Sequence, residues 1–125
     1  MTARAEIEQM LGAWSAAVRA HDLNGAVQGR SADIVMFDVP APLQAKGIDA
    51  YRDTWTLYFG DEGSRRFDLL ETHIVAGEDV GWVRAILRCT TDDAPAGRLT
   101  MGLRRVDGRW VVEHEHHSFP VPQAS

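Results

Sequence analysis

The chain has 125 residues and a formal net charge of −5 at neutral pH, and 45% of its residues are hydrophobic and 25% charged. This length allows one domain with one core, and the ordinary balance of apolar and charged residues argues against disorder. Acidic residues outnumber basic ones, which argues against a general nucleic-acid or anionic-membrane binder, because such proteins need a basic surface.

Cysteine content and the N-terminus indicate the compartment. Cys89 is the only cysteine, so an intrachain disulfide is excluded. The first residues include a glutamate where a signal peptide would carry its apolar stretch. No run approaches the ~18 apolar residues that a membrane helix needs. We therefore expect a cytoplasmic protein without a membrane segment.

Two helices are predicted at the start of the chain. Apolar residues at spacings of three and four predict an amphipathic helix from about Thr2 to Ala20. Asp22 can cap a short second helix. The apolar residues of that second helix are Leu23, Ala26 and Val27.

A strand and a third helix follow. The segment Asp33 to Val39 is β-branched and alternating, which predicts a strand ended by Pro40 and Pro42. After Gly47, helical spacing returns. The residues with that spacing are Ile48, Tyr51, Trp55, Tyr58 and Phe59.

From Arg66 onward the period is two, which predicts an antiparallel meander. Its Asp107-Gly108 pair is the strongest hairpin signal in the chain. The predicted strands are Phe67–Ala76, Val80–Thr91, Arg98–Val106 and Trp110–Phe119. The order of elements predicts one α+β domain over residues 1–120, with a loose tail over 121–125. In this domain three helices cover one face of a cone-shaped, curved antiparallel sheet, and a pocket is expected at one end of the cone.

The first candidate for chemistry is Asp38. Alternation places Ile34, Met36 and Asp38 on one face of the first strand. Both faces of this strand are apolar, so we expect both to be covered, and an aspartate at its end to be partly desolvated, as suits a general base. The alternative is that Asp38 caps a turn before Pro40.

The stretch from Val112 to Ser118 contains three histidines. In a regular strand, one face carries Trp110, Val112, His114, His116 and Ser118. The two imidazoles of that face suit proton transfer, or recognition of a carbonyl or hydroxyl group. They can instead bond to neighbours or shape a subunit interface. A metal would need His73, Glu71 or Asp38 as a third ligand, and we expect none because no second ligand pair supports it.

Several large side chains are candidates for contact with a ligand. Trp14, Trp55 and Tyr58 could line the mouth of the cone, although their spacing also suits core packing. Arg84 lies in the middle of the longest strand, where it is either solvated or anion-binding. The predicted substrate-binding residues are Trp14, Trp55, Tyr58, Met36, Arg84 and Trp110.

The front half of the chain resembles a known superfamily. The order of elements, Trp14 in the first helix and the stretch Ile34-Val35-Met36-Phe37-Asp38-Val39-Pro40 are similar to the nuclear transport factor 2-like superfamily, which includes ketosteroid isomerase and SnoaL-like polyketide cyclases. The resemblance implies a cone-shaped fold. It also implies that Asp38 matches the aspartate before a proline that transfers the proton in ketosteroid isomerase-like proteins, and that Trp14 stands roughly where a tyrosine holds the enolate oxygen.

The back half of the chain resembles a second group. Gly77-Glu78-Asp79, Asp107-Gly108-Arg109-Trp110 and His114 to Pro120 look like the association domain of calcium/calmodulin-dependent kinase II and its stand-alone bacterial relatives. In that hub domain, arginines in the pocket bind anions. By alignment, Leu87 and Met101 occupy those places here.

Two hypotheses follow for the function. The first is a cofactor-free isomerase, cyclase or dehydratase acting on a small hydrophobic carbonyl compound, in which Asp38 abstracts a proton and His116 or His114 donates to the oxygen or polarises it. No cofactor motif is present. The second is a non-catalytic ligand-binding or self-association domain. We expect a homodimer through the sheet face, because exposed apolar strands are unstable in water.

Overall fold

The computed structural model of the chain describes residues 1–60, 66–90 and 96–121. Within these ranges the chain forms three helices and six strands. In chain order they are α1 (Ala3–Arg19), α2 (Leu23–Val27), β1 (Arg30–Phe37), β2 (Ala45–Lys46), α3 (Ile48–Phe59), β3 (Asp68–Ala76), β4 (Val80–Arg88), β5 (Gly97–Val106) and β6 (Arg109–Ser118). The predicted order of helices and strands is confirmed. Thr91, at the predicted end of the second meander strand, and most of the predicted tail lie outside the described residues.

The six strands form one unclosed sheet in the order β2-β1-β6-β5-β4-β3. Strands β3 to β6 form the predicted antiparallel meander. The sheet is nevertheless mixed, because β1 lies parallel to β6, and it includes β2, which the sequence did not predict. A two-residue strand is too short to show a period, and no local pattern states beside which distant strand β1 will lie.

The helix ends have the predicted local causes. The Thr2 side chain accepts a hydrogen bond of 3.1 Å from the Ala5 N–H at the start of α1. The Asp22 carboxylate does the same for the Gly25 N–H at the start of α2, also at 3.1 Å. Gly47 precedes α3 with a φ of +91°, a conformation that favours glycine. Caps and a glycine therefore define where each helix begins.

Strand β1 is covered on one side only. Ile34 and Met36 are buried against the helices, as predicted. Phe37, on the opposite face, is 37% exposed, so the described part of this chain does not itself supply the cover expected on that face. Helices α1 and α3 pack on the inner face of the sheet, α2 packs on these two helices, and the described residues leave the outer face open.

Strand β6 contains a β-bulge that changes which residues face the core. Gly102 of β5 pairs with His114, whereas Leu103, the next residue, pairs with Val112. Glu113 is therefore an extra residue on β6. An extra residue shifts the alternation of a strand by one, so every side chain beyond it exchanges faces.

Because of the bulge, the prediction that Trp110, Val112, His114 and His116 share one face was wrong for the two histidines. Trp110 and Val112 are buried on the inner face, as expected. Beyond the bulge, the inner face is continued by Glu115 and His117, both buried. His114 and His116 lie on the outer face, because the predicted alternation assumed a regular strand.

The hydrophobic core lies between the helices and the inner face of the sheet. It is rich in aromatic rings: Trp14 packs edge-on against Trp55 and Phe67, with ring centroids 5.9 Å and 5.1 Å apart. Among the described residues, no helix combines the length and the apolar character needed to cross a bilayer.

Candidate functional site

A cavity of about 390 Å³ opens where α3 meets the ends of β1, β4 and β6. Most of its wall is apolar and aromatic. The apolar lining residues include Met36, Trp55, Phe67, Leu87 and Phe119. The polar lining residues are Asp38, Thr54, Tyr58, Cys89, Thr90 and His117. A cavity of this size with a few polar groups is typical of a small-molecule site.

Asp38 lies directly after the last residue of β1 and is half-buried. One carboxylate oxygen, Oδ1, accepts a hydrogen bond of 2.8 Å from the N–H of Val39. Its charge also acts on a neighbour: burial, together with the negative charge of Asp38, raises the pKa of the Cys89 thiol. Asp38 therefore fixes the local backbone and also contributes a carboxyl group to the cavity wall.

His117 contributes an imidazole to the same cavity. Its Nε2 lies 2.7 Å from Oε2 of Glu115, behind the cavity wall. Its ring packs against those of Trp14, Trp55 and Phe67, with centroids 6.3 Å, 5.9 Å and 6.4 Å away. The ring is held on one side by a carboxylate and around its faces and edges by aromatic side chains.

Glu115 is the centre of a buried polar cluster, here called the Glu115 network, formed by Arg30, Tyr51, Glu115 and His117. Arg30 Nη2 donates to Glu115 Oε1 at 3.1 Å, and the Tyr51 hydroxyl donates to the same oxygen at 2.9 Å. Arg30 Nε in turn donates to the Tyr51 hydroxyl at 2.9 Å. The side chains of Arg30 and Glu115 are only 1% and 0% exposed, so these bonds replace water entirely.

The network keeps one positive and one negative charge in the protein interior. Burial opposes ionisation of Glu115, but the charge of Arg30 and the hydrogen bonds from His117 and Tyr51 outweigh it and lower the pKa of this carboxyl group. Burial raises the pKa of Tyr51, so its phenol stays protonated. Arg30 also stacks on Trp14, with its guanidinium carbon 4.6 Å from the ring centroid. The chain therefore folds around an ionised, fully bonded carboxylate.

The structure brings four of the predicted site residues to the cavity. Asp38, Met36, Trp55 and Tyr58 all line it. The Tyr58 hydroxyl lies 3.3 Å and 3.4 Å from the backbone carbonyl oxygens of Arg66 and Cys89, between which its single hydrogen is shared. These four residues belong to α3 or to the end of β1, where alternation is regular from Ile34 onward; the register irregularity of β1 lies before Val35.

Two predicted residues lie elsewhere on the inner side of the sheet. Trp14 packs behind His117, and with Trp110 it borders a separate cleft between α1, α2 and the turn from β5 to β6. The indole nitrogens of Trp14 and Trp110 have no hydrogen-bond partner in the part of the chain that the structure describes. Neither residue is among the described lining of the cavity.

The three other predicted residues, Arg84, His114 and His116, lie on the outer face. On this face, the strand registers place one residue from each of five strands side by side in a row. The row consists of His73, Arg84, Thr100, His116 and Phe37. His114 lies beside it and donates through Nδ1 to the carbonyl of Val35 at 2.7 Å. The described residues contain no group of three or more histidine, cysteine or acidic side chains placed to hold a metal.

Sequence reasoning missed the Glu115 network. The one available signal was Gly102, because an isolated glycine in a strand often marks a bulge. Had a bulge been predicted opposite Gly102, the sequence would have placed Glu115 and His117 on the inner face, and His114 and His116 on the outer one. Nothing local links Arg30 or Tyr51 to Glu115, since they are 85 and 64 residues away in sequence.

Comparisons with known proteins identify relatives along almost the whole chain. A family model described as SnoaL-like domain matches residues 7–122. An NTF2-like protein of unknown function from Pseudomonas putida is 34% identical, with a TM-score of 0.87, over 98% of this chain and 91% of that one. A ketosteroid isomerase-like protein from Erwinia carotovora is similar in fold, with 20% identity and a TM-score of 0.72, over 94% of this chain and 96% of that one. No curated protein matches the chain.

We expect Glu115→Ala to lower the free energy of unfolding by about 3–5 kcal/mol, because it leaves Arg30 charged and buried without a partner. The control change Glu8→Ala should stay within about 0.5 kcal/mol, since this side chain is exposed on α1, away from the sheet face. Urea unfolding of both variants measures the difference. Similar small losses in both would contradict the assignment of Glu115 to the inner face.

Stability should also depend on pH through Glu115. Its pKa is lower in the folded than in the unfolded protein, so its contribution is complete above the unfolded value of about 4.3 and is lost as the pH falls through the folded value. Urea unfolding between pH 7 and pH 3 should show a fall in the acidic range. That fall should be shallower in Glu115→Gln than in Glu8→Gln, which removes an exposed carboxylate from α1. Equal slopes in the two variants would argue against an ionised Glu115.

Proposed function

This chain belongs to the SnoaL-like domain family, within the nuclear transport factor 2-like superfamily, and we propose that it catalyses cofactor-free acid–base chemistry on a small hydrophobic carbonyl compound. The superfamily resemblance seen in the sequence is thereby confirmed. The reaction class is an isomerisation, cyclisation or dehydration, and the cavity between α3 and the ends of β1, β4 and β6 is the proposed active site.

One observation carries the proposal. A carboxyl group, from Asp38, and an imidazole, from His117, line the same mostly apolar cavity. The imidazole is backed by the carboxylate of Glu115 at 2.7 Å. An imidazole oriented by a buried carboxylate is the arrangement used for proton transfer in many enzymes, because the carboxylate stabilises the imidazolium that forms.

The two groups take complementary roles in the proposed reaction. Asp38 removes a proton from the carbon next to the carbonyl group, the role that the superfamily resemblance implies for it. His117 accepts the proton of a hydroxyl group on the compound and returns it to the oxygen on which negative charge develops, so the imidazole ends neutral. It thereby takes the place of His116 and His114, for which donation to the oxygen was predicted. The apolar wall excludes water and strengthens both interactions. Cys89 takes no nucleophilic part, because its raised pKa keeps the thiol protonated.

A non-catalytic binding protein is the second candidate. It is favoured by the backbone hydrogen bond that Asp38 already accepts from Val39 and by those that Tyr58 donates to carbonyl groups. Such bonds tie polar groups to the scaffold, as in an aspartate that shapes a turn. The two candidates use the same cavity and differ only in whether a proton is transferred there.

Native mass spectrometry of the purified protein, before and after denaturation, should detect a small organic molecule and so supply a compound class for assays. With that class, Asp38→Asn and His117→Phe should each lower turnover by at least about 10²-fold, because each removes a proton-transfer group. His116→Ala, on the outer face, should keep full activity. Asp38→Asn must also keep the wild-type melting temperature. Full turnover in Asp38→Asn would end the enzyme assignment in favour of the binding protein.

We further propose that the outer face forms a homodimer. Apolar side chains are exposed across it: Trp82, Val75 and Phe37 are 41%, 43% and 37% exposed. A second copy related by a two-fold axis would cover this face with its own equivalent. The open face of the sheet supports this arrangement, because the described helices all lie on the other side.

Light scattering should give the mass of a dimer, and Trp82→Glu should give that of a monomer, because a carboxylate buried without a partner is strongly unfavourable. Leu43→Glu makes the same chemical change at a loop residue that is 91% exposed, and it should leave the dimer intact. A wild-type monomer mass that does not depend on concentration would contradict the proposal.

A further inference from the structure

The hydrogen bonds of Glu115 determine which nitrogen of His117 carries hydrogen. Oε1 of Glu115 accepts from both Arg30 and Tyr51. Oε2 lies 2.7 Å from Nε2 of His117. Since Arg30 and Tyr51 are donors toward the carboxylate, Glu115 is left as an acceptor at both oxygens, and a carboxylate has no hydrogen to give. Nε2 must therefore carry the hydrogen in this contact.

The other nitrogen, Nδ1, is then a bare acceptor. A neutral imidazole carries one hydrogen only, so Nδ1 has a lone pair when Nε2 is protonated. Nδ1 has no hydrogen-bond partner in the described part of the chain, and His117 lines the cavity. It is therefore the polar atom that His117 can offer to a ligand.

The other polar groups of the cavity include acceptors and donors. Asp38 also offers acceptor oxygens. The hydroxyl of Thr54 donates to the Tyr51 carbonyl at 2.6 Å, and that of Tyr58 donates to backbone carbonyls. These two hydroxyl hydrogens are directed to the backbone, whereas the Trp55 indole, the Cys89 thiol and the Thr90 hydroxyl are further donor groups among the lining residues. The feature that favours a ligand with its own donor hydrogen is therefore the Nδ1 of His117, which is unpaired among the described residues.

We propose that Glu115, supported by Arg30 and Tyr51, is a positioning residue that holds His117 in the Nε2–H form, so that the cavity selects a small apolar compound carrying a hydroxyl group. This inference rests on the proposed function and narrows its substrate class. The carbonyl compound is one that also presents an alcohol, enol or phenol hydrogen to Nδ1. A ketone or ether without a hydroxyl group leaves Nδ1 unpaired inside an apolar wall, which is costly.

The first test needs no ligand. Long-range ¹⁵N–¹H correlation spectra of the histidine rings, assigned with His117→Phe, distinguish the two neutral forms from each other and from the imidazolium. We expect His117 as the Nε2–H form in the wild-type protein. The Nδ1–H form, or a mixture of both, would overturn the proposal regardless of any activity.

Glu115→Gln tests the positioning role itself. A glutamine can accept from Nε2 or donate to it, so the variant should lose the single form and show a mixture. A folded Glu115→Gln protein with an unchanged Nε2–H form would show that Glu115 does not position His117. If this variant does not fold, Tyr51→Phe, which keeps the ion pair with Arg30, serves in its place. Because Glu115 stays an ionised acceptor there, the Nε2–H form should persist in that variant, and its loss would contradict the positioning of His117 by the Glu115 carboxylate.

The second test uses two probes of nearly equal size, 2-naphthol and 2-methylnaphthalene, titrated calorimetrically into the wild-type protein and His117→Phe. The affinity for 2-naphthol divided by that for 2-methylnaphthalene should be about ten times larger in the wild type than in His117→Phe, as expected for one hydrogen bond to a buried group. Equal ratios would overturn the assignment of a hydroxyl-bearing ligand. Binding of neither probe would count against the cavity as a ligand site, and therefore against the proposed function, while the spectra still decide the positioning role.

Discussion

The ion pair between Arg30 and Glu115 is the interaction on which the arrangement of the fold depends. Arg30 begins β1 and Glu115 lies in β6, so the pair joins the two parallel strands of the sheet. Tyr51 ties the pair to α3, and Trp14 of α1 covers the guanidinium. Two charges without water are tolerated only when every bond is made. The helices and both strands must therefore be in place together.

The bulge in β6 makes this interaction possible. Without the extra residue Glu113, alternation would direct His114 and His116 into the core and leave Glu115 on the outer face. Arg30 would then be buried without a partner. The extra residue Glu113 therefore decides which side chains of β6 face each side of the sheet. The inner face receives the ion pair and the oriented imidazole of His117. The outer face receives His114 and His116, beside exposed apolar side chains.

The sequence was sufficient to predict the helices and strands in which apolar residues recur with a regular period. Periodicity, the caps Thr2 and Asp22 and the Asp107-Gly108 turn predicted the helices and the meander, and they predicted that Asp38 and Met36 share a side with Ile34. It was not sufficient for the bulge, for β2, or for the parallel pairing of β1 with β6. These depend on contacts between distant segments, which leave no local period. The predicted half of the site therefore came from β1 and α3, and the missed half from β6.

The Glu115 network also bears on the choice between catalysis and binding. A buried ion pair seldom stabilises a protein more than apolar side chains of the same volume would. An apolar ligand could be held by the aromatic wall alone, for which an ionised carboxylate behind His117 adds nothing. An imidazole that gains and loses a proton needs that carboxylate, because the charge formed on the ring must be compensated inside an apolar cavity. The charged network beside the cavity is therefore an argument for the proposed proton transfer over the binding of a ligand without polar groups.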